Sequence, residues 1–135
     1  MRSLLRIVGA LVALAVIVIG LSFVASESGE VVVLKTKSEH ATQPDHETRI
    51  WVVDEDGKQW IRAGDPHSTW LVAIQRDPLV EVVRGEKSAA YTAVPDVASR
   101  ARINTLYAAK YGWAAAYIAM LFGRDDATPI RLDPR

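Results

Sequence analysis

The part of this sequence best suited to binding an anion combines arginine with hydroxyl side chains. Arg62 ends an alternating segment, and Ser68 and Thr69 follow at the point where a short helix begins. A guanidinium fork, a hydroxyl and the free N–H groups of a helix N-terminus together bind a phosphate or an acidic tail. In the alternative interpretation, Arg49 and Arg62 are solvated strand residues facing acidic side chains of the neighbouring turn, and Ser68 is only a helix cap.

Aromatic residues near these positions offer a second kind of chemistry. Trp51, Trp60 and Trp70 could stack on a planar ring of a bound molecule. The alternation of a strand places Trp51 and Val53 on the same face, which favours a place in the core instead.

Composition and spacing exclude several other kinds of site. The chain has no cysteine, so disulfides, thiolate metal sites and cysteine nucleophiles are ruled out. Its three histidines match no zinc spacing, and we predict no metal site. Sixteen basic and sixteen acidic residues cancel without a clustered basic face, so no nucleic-acid partner is expected. The motifs of P-loop, G-x-S-x-G and H-E-x-x-H enzymes are absent.

The candidate residues lie in a hairpin, helix and strand unit, around which the rest of the chain is organised. Strands are predicted over Thr48–Asp54, Lys58–Ala63 and Leu79–Arg84, with a short helix from Ser68 to the Asp77-Pro78 pair. Further strands are predicted over Val31–Lys37, Ala89–Val94 and Thr128–Leu132, and helices over Val97–Lys110 and Trp113–Phe122. The second of these helices is apolar almost all round, which indicates burial or contact with a partner or a membrane. The predicted fold class is α+β, with about six mostly antiparallel strands and inserted helices.

The N-terminal segment is long and apolar. Ile7 to Val24 contains eighteen residues without a charge, which favours an uncleaved signal anchor over a signal peptide cleaved near Ala25 or Ser28. The predicted organisation is a transmembrane anchor at 1–25, a linker at 26–30 and a globular domain at 31–135. Arg2 and Arg6 precede the span, so the positive-inside rule predicts a cytoplasmic N-terminus and an extracytoplasmic domain.

Several stretches of the globular part resemble one known family. The run VVVLKTKSEHATQPDHETRIWVVDEDGKQWIRAG, Trp70 with Asp77-Pro78, Tyr111-Gly112-Trp113 and the closing ATPIRLDPR resemble the deazaflavin-dependent nitroreductase-like proteins. These belong to the flavin-binding split-barrel group, which has the pyridoxamine-phosphate-oxidase-like fold. The resemblance implies a split β-barrel behind the membrane helix and a deazaflavin coenzyme or FMN as cofactor.

By matched position, the resemblance also implies which residues line the cofactor groove. The implied cofactor-binding residues are Thr48, Arg49, Trp51, Arg62, Ala63, Gly64, Ser68, Thr69 and Trp70. Tyr111 is the candidate proton donor, because it lies at a helix end beside the presumed groove. The implied activity is hydride transfer from the cofactor to a small electrophile such as a quinone or nitro compound.

A non-catalytic reading of the same chain stays open. The family's glycine-containing turn after the first strand corresponds here to Thr36-Lys37-Ser38-Glu39, which matches it only partly because both glycines are missing. That loss favours a membrane-anchored barrel that binds a small ligand or a protein partner without catalysis. An oligomer or a membrane protein partner is compatible with either interpretation.

Overall fold

A computed structural model describes residues 1–27, 29–123 and 126–135 of the chain. The helices are α1 (Arg2–Ser26), α2 (Thr69–Arg76), α3 (Arg100–Tyr111) and α4 (Trp113–Phe122), and a single 3-10 turn (Val97–Ser99) precedes α3. The strands are β1 (Val31–Thr36), β2 (His46–Trp51), β3 (Val53–Glu55), β4 (Lys58–Ala63), β5 (Leu79–Arg84), β6 (Lys87–Pro95) and β7 (Thr128–Pro134).

All seven strands form one antiparallel sheet in the order β2-β1-β5-β6-β7-β4-β3. The predicted α+β class with a mostly antiparallel sheet is confirmed, with one strand more than expected. The predicted hairpin was only partly right, because the segment expected to form its first strand is divided at Val52. Its first part, β2, pairs with β1, and only the three residues of β3 pair with β4.

The sheet closes on itself because its two edge strands are consecutive in the chain. β2 ends at Trp51 and β3 begins at Val53, so Val52 alone connects the two edges. One residue spans at most about 3.6 Å, so the sheet must curl until these edges meet. We call residues 51–53 the seam of the barrel.

Helix α3 closes the seam with side-chain hydrogen bonds to backbone groups. The Tyr107 hydroxyl lies 2.8 Å from the carbonyl oxygen of Trp51 and 3.2 Å from that of Trp60 on β4. The Tyr111 hydroxyl accepts from the Val52 N–H at 3.0 Å, and Lys110 Nζ donates to the Val52 carbonyl at 2.7 Å. The bonds to Val52 satisfy the backbone groups of a residue that belongs to neither β2 nor β3.

Two apolar clusters fill the space inside the barrel and under α3. The barrel interior contains Val32, Leu34, Val52, Ile61, Ala63, Trp70, Leu71, Ile74, Val80, Val82, Ala93, Ile130 and Leu132. The cluster under α3 contains Val53, Trp60, Ile103, Tyr107, Tyr111 and Ala115. Because β1 buries every second residue, its Val32 and Leu34 face inward while the residues between them face the other side.

Helix α1 stands out from the barrel as an exposed apolar rod. Arg2–Ala25 is long and apolar enough to cross a membrane. The C-terminal part of α1 contacts α4, where Ala25 is buried with Ala114 and Ile118 and the Tyr117 hydroxyl donates to the Val18 carbonyl. The orientation across a membrane and the division at 1–25, 26–30 and 31–135 stay predictions. Ser28, the second cleavage candidate within the linker, lies outside the described residues.

A network of four charged side chains ties the start of β1 to the seam. Arg84 of β5 donates to Glu30 Oε1 and to Asp54 Oδ1, each at 2.7 Å. Lys110 Nζ lies 2.7 Å from Glu30 Oε1 as well. The hydrogen bonds from Arg84 and Lys110 lower the pKa of Glu30 from 4.5 to about 2, and the bond from Arg84 lowers the pKa of Asp54.

We expect this network to make stability fall in acid. A carboxylate whose pKa is lowered by folding stabilises the native state above its unfolded pKa, and the contribution is lost as pH falls through the folded value. The loss for Glu30 should therefore occur between about pH 4.5 and pH 2. Urea unfolding of the full chain across this window should show a smaller decline for Glu30→Gln than for wild type. Glu86→Gln, in the exposed β5–β6 turn, is the control and should decline as wild type does.

Candidate functional site

A cleft of about 180 Å³ lies beside the seam, between β2, the end of β4, α3 and α4. It is lined by Arg49, Ile50, Trp51, Arg62, Gly64, Tyr107 and Ile118. We call it the Arg49–Arg62 cleft. Two guanidinium groups on one small cleft make it suited to a ligand with negative charge, because arginine binds carboxylates and phosphates through paired N–H donors.

Arg62 is positioned by α3. Its guanidinium carbon lies 4.2 Å from the centre of the Tyr107 ring, and its Nη1 donates to Asn104 Oδ1 at 2.9 Å. A cation over an aromatic face is attracted by the negative charge of the ring face. Arg62 is therefore a half-buried arginine held against α3, which differs from the solvated strand residue of the alternative interpretation.

Arg49 is positioned by the end of α1. Its Nε donates to Glu27 Oε1 at 3.0 Å and to Oε2 at 3.1 Å, and its Nη2 also donates to Oε2. The hydrogen bonds from Arg49 lower the pKa of Glu27. Arg49 remains mostly exposed, so this ion pair is screened by solvent and contributes little to stability.

Three aromatic rings form a stack behind the cleft. The Trp51 and Tyr111 rings are nearly parallel with centroids 4.3 Å apart, and Tyr107 and Tyr111 are 5.7 Å apart. Burial raises the pKa of Tyr111 to about 12, and burial also raises the pKa of Tyr107. Both phenols stay protonated at neutral pH. Besides its bond from Val52, the Tyr111 hydroxyl contacts the carbonyl oxygen of Glu30 at 2.6 Å.

A second depression adjoins the cleft at Gly64. It has a volume of about 490 Å³ and is lined by Gly64, Asp65, Pro66, Ser68 and Phe122. Ser68 precedes α2 but makes no side-chain capping bond there, and its Oγ donates instead to the Asp65 carbonyl at 2.7 Å. The anion-binding group of the sequence, Arg62 with Ser68, is thus divided between two adjoining spaces.

The structure brings four of the predicted site residues into one cleft and leaves the others elsewhere. Arg49, Trp51, Arg62 and Gly64 line the cleft, and Ser68 lines the adjoining depression. The remaining predicted residues are Thr48 on β2, the buried Ala63 and Trp70 in the barrel core, Thr69 on another surface depression, and Tyr111 in the stack behind the cleft.

Sequence reasoning did not place Ile50, Tyr107 and Ile118 in the cleft. The ring of Tyr107 lies in the cluster under α3, and its contact with Arg62 depends on how α3 crosses the barrel. Ile118 reaches the cleft through the packing of α4, for which the sequence carries no signal. Among the described residues, no three His, Asp or Glu side chains are grouped closely enough to hold a metal ion.

Comparison with solved structures places this architecture among known folds. An "F420-H2 Dependent Reductase" matches with a TM-score of 0.59 at 22% identity, over 76% of this chain and 93% of that one. A domain-swapped dimer matches with the same TM-score and identity, over 76% of this chain and 79% of the other. A putative pyridoxamine 5'-phosphate oxidase from Listeria innocua matches with a TM-score of 0.56 at 16% identity, over 84% and 90%.

Sequence comparison finds no match: no protein-family profile and no curated protein is similar to this chain. The structural likenesses are below 25% identity and therefore concern the fold. They agree with the antiparallel sheet, its curl and its inserted helices, as the resemblance in the sequence implied. The chain has the split β-barrel fold that these solved structures share.

Proposed function

We propose that this chain is an oxidoreductase-like split barrel, anchored by α1, that binds a deazaflavin coenzyme or FMN. Its activity would be hydride transfer to a small electrophile such as a quinone or nitro compound. The observation that carries the proposal is the pairing of Arg49 and Arg62 on one cleft beside the seam. The F420-H2 dependent reductase and the oxidase among the structural neighbours support it through the shared fold.

The donor groups of the cleft fit the anionic part of such a cofactor. The volume of the Arg49–Arg62 cleft, about 180 Å³, is below the roughly 300–1,000 Å³ of pockets that enclose drug-sized ligands. The cleft alone therefore has room for a phosphate or the edge of a ring. The adjoining depression of about 490 Å³ provides the remaining space, and Gly64, which has no side chain, separates the two.

The residues of this chain would bind and orient the cofactor, while the cofactor supplies the hydride. Arg62 and Arg49 would bind its anionic groups, and Ile50 and Ile118 would exclude water from one wall. Tyr111, the proposed proton donor, carries its proton at neutral pH, but the hydroxyl is bonded to backbone groups of the seam. To donate, it would have to exchange one of those bonds for the substrate.

A second candidate function is a barrel that binds a small ligand or protein without catalysis. It is favoured by the Glu27–Arg49 ion pair, which already neutralises one guanidinium of the cleft. The hydroxyls of Tyr107 and Tyr111 also point to backbone groups and leave neither phenol directed at a ligand. The domain-swapped dimer among the neighbours supports a second copy of the chain as one such partner.

Titration of the full chain in lipid nanodiscs separates the two functions. FMN and the deazaflavin coenzyme are added separately, and binding is followed by cofactor fluorescence. Reduced cofactor is then mixed with a soluble quinone and its absorbance is recorded. Saturable binding with quinone-dependent oxidation supports the proposed reductase, and binding without oxidation supports the non-catalytic barrel. Absence of binding at high micromolar concentration of both cofactors would refute the cofactor proposal.

A further inference from the structure

Helix α4 exposes an apolar face that the barrel does not cover. Trp113 and Met120 expose 57% and 73% of their surfaces, and Ala116 lies between them on the exposed side. The whole helix, WAAAYIAMLF, carries no charged residue. Large apolar side chains that are grouped and exposed mark a surface that contacts a partner or a membrane.

The polar side chains along this surface are satisfied inside the protein. Tyr117 is the only hydroxyl residue of α4, and its hydroxyl donates to the Val18 carbonyl of α1 at 3.1 Å. Ser22 is the only hydroxyl residue in the facing part of α1, and its Oγ donates to the same carbonyl at 2.7 Å. Hydrocarbon offers no water to bond such groups, so a surface immersed in lipid needs internal partners of this kind.

Packing makes the surfaces of α1 and α4 continuous. Ala25 of α1 is buried against Ala114 and Ile118, and Val18 meets Tyr117, so the contact extends over seven residues or about 10 Å of α1. No residue in the apolar window of α1 is buried within the protein. A bilayer that surrounds α1 therefore reaches the exposed face of α4 as well.

We propose that α4 lies in the membrane interface, with lipid covering the face formed by Trp113, Ala116 and Met120. Trp113 suits this position because an indole combines an apolar ring with a polar N–H. Ile118 of α4 and Arg49, paired with Glu27 at the end of α1, both line the Arg49–Arg62 cleft, so the cleft lies close to the lipid surface. This inference rests on α1 being in the bilayer and is independent of the proposed catalytic function.

Single cysteines test this directly, because the chain has none of its own. The full chain, in phosphatidylcholine vesicles, carries a nitroxide label at Met120→Cys, and collision rates with oxygen and with a water-soluble nickel chelate are measured. Val12→Cys on α1 is the lipid reference. Val72→Cys on α2, also an exposed apolar position on a helix, is the matched aqueous control, since 48% of Val72 is exposed.

We expect the oxygen-to-nickel collision ratio at position 120 to exceed that at position 72 several-fold and to stay below that at position 12, because a label in the interface lies less deep than one in the middle of the span. A ratio at position 120 equal to that at position 72, while position 12 reports lipid, would overturn the proposal. A label at position 120 that is shielded from both reagents and broadened by a neighbouring label would overturn it in favour of a second copy of the chain. Water-like collision rates at position 12 would show that α1 is not in the bilayer and would therefore overturn the proposal.

Discussion

Replacing Tyr107 by alanine is expected to lower the free energy of unfolding by about 3–5 kcal/mol, the usual cost of removing a large buried aromatic ring. Tyr107 is 1% exposed and lies at the only point where the two sheet edges meet in the described chain. Its ring separates Arg62 from Tyr111, and its hydroxyl reaches backbone carbonyls on both sides of the seam. The substitution would leave a cavity and also free both carbonyls.

Tyr107→Phe isolates the contribution of the hydroxyl. It retains the ring and leaves buried carbonyl oxygens without their donor, which should cost about 1–3 kcal/mol. Unfolding of the full chain by urea in detergent micelles, followed by tryptophan emission, measures both variants. Thr105→Ala, at an exposed position of the same helix, should change the free energy by less than about 0.5 kcal/mol. A loss below about 1 kcal/mol for Tyr107→Ala would mean that α3 does not hold the seam closed.

Replacing Arg62 by alanine is expected to weaken cofactor binding ten- to a hundred-fold. A hydrogen bond to a charged group is worth about 1.5–3 kcal/mol, and each 1.4 kcal/mol is a factor of ten in affinity. Arg62 is already oriented by the Tyr107 ring and Asn104, so little side-chain entropy is lost when an anion binds. Titration of FMN and the deazaflavin coenzyme into wild type and variant by fluorescence measures the change.

The contacts of Arg62 with Tyr107 and Asn104 also stabilise the fold. Arg62→Ala should therefore lower the free energy of unfolding by about 1 kcal/mol for the lost contact with the Tyr107 ring. Arg102→Ala is therefore the appropriate control. Arg102 also lies over an aromatic ring, at 5.7 Å from that of Trp60, and pairs with Glu55, but it does not line the cleft. It should lose stability without losing affinity. Equal affinities for wild type and Arg62→Ala would show that the cleft does not bind the anionic part of the cofactor.

Local patterns in the sequence predicted most of the secondary structure. Helix α4 has the predicted bounds, Trp113–Phe122, because its apolar run is uninterrupted and a glycine at each end, Gly112 and Gly123, limits the helix. β5 also has its predicted bounds, and α3 begins three residues late because Val97–Ser99 forms a 3-10 turn instead. The apolar N-terminal helix and the split-barrel class were likewise accessible from composition and resemblance.

Local patterns in the sequence did not show which strands pair with each other. Alternation in Thr48–Asp54 showed that the segment is extended, but any neighbouring strand of the right pattern could pair with it. The observed pairing with β1 depends on the break at Val52, which allows the sheet to close and which Tyr111 and Lys110 then satisfy from α3. These groups are more than fifty residues apart in the chain, beyond the reach of any local pattern.

Periodicity and composition in the sequence indicate which segments are helical, extended or apolar enough for a membrane, because these patterns reflect the immediate surroundings of each residue. Other features depend on the fold of the whole chain: Arg49 and Arg62 share a cleft, Glu27 pairs with Arg49, Tyr107 supports Arg62, and α4 lies against α1. These arrangements follow from how the sheet closes and how the helices cross it. Such contacts are set by the packing of the whole chain.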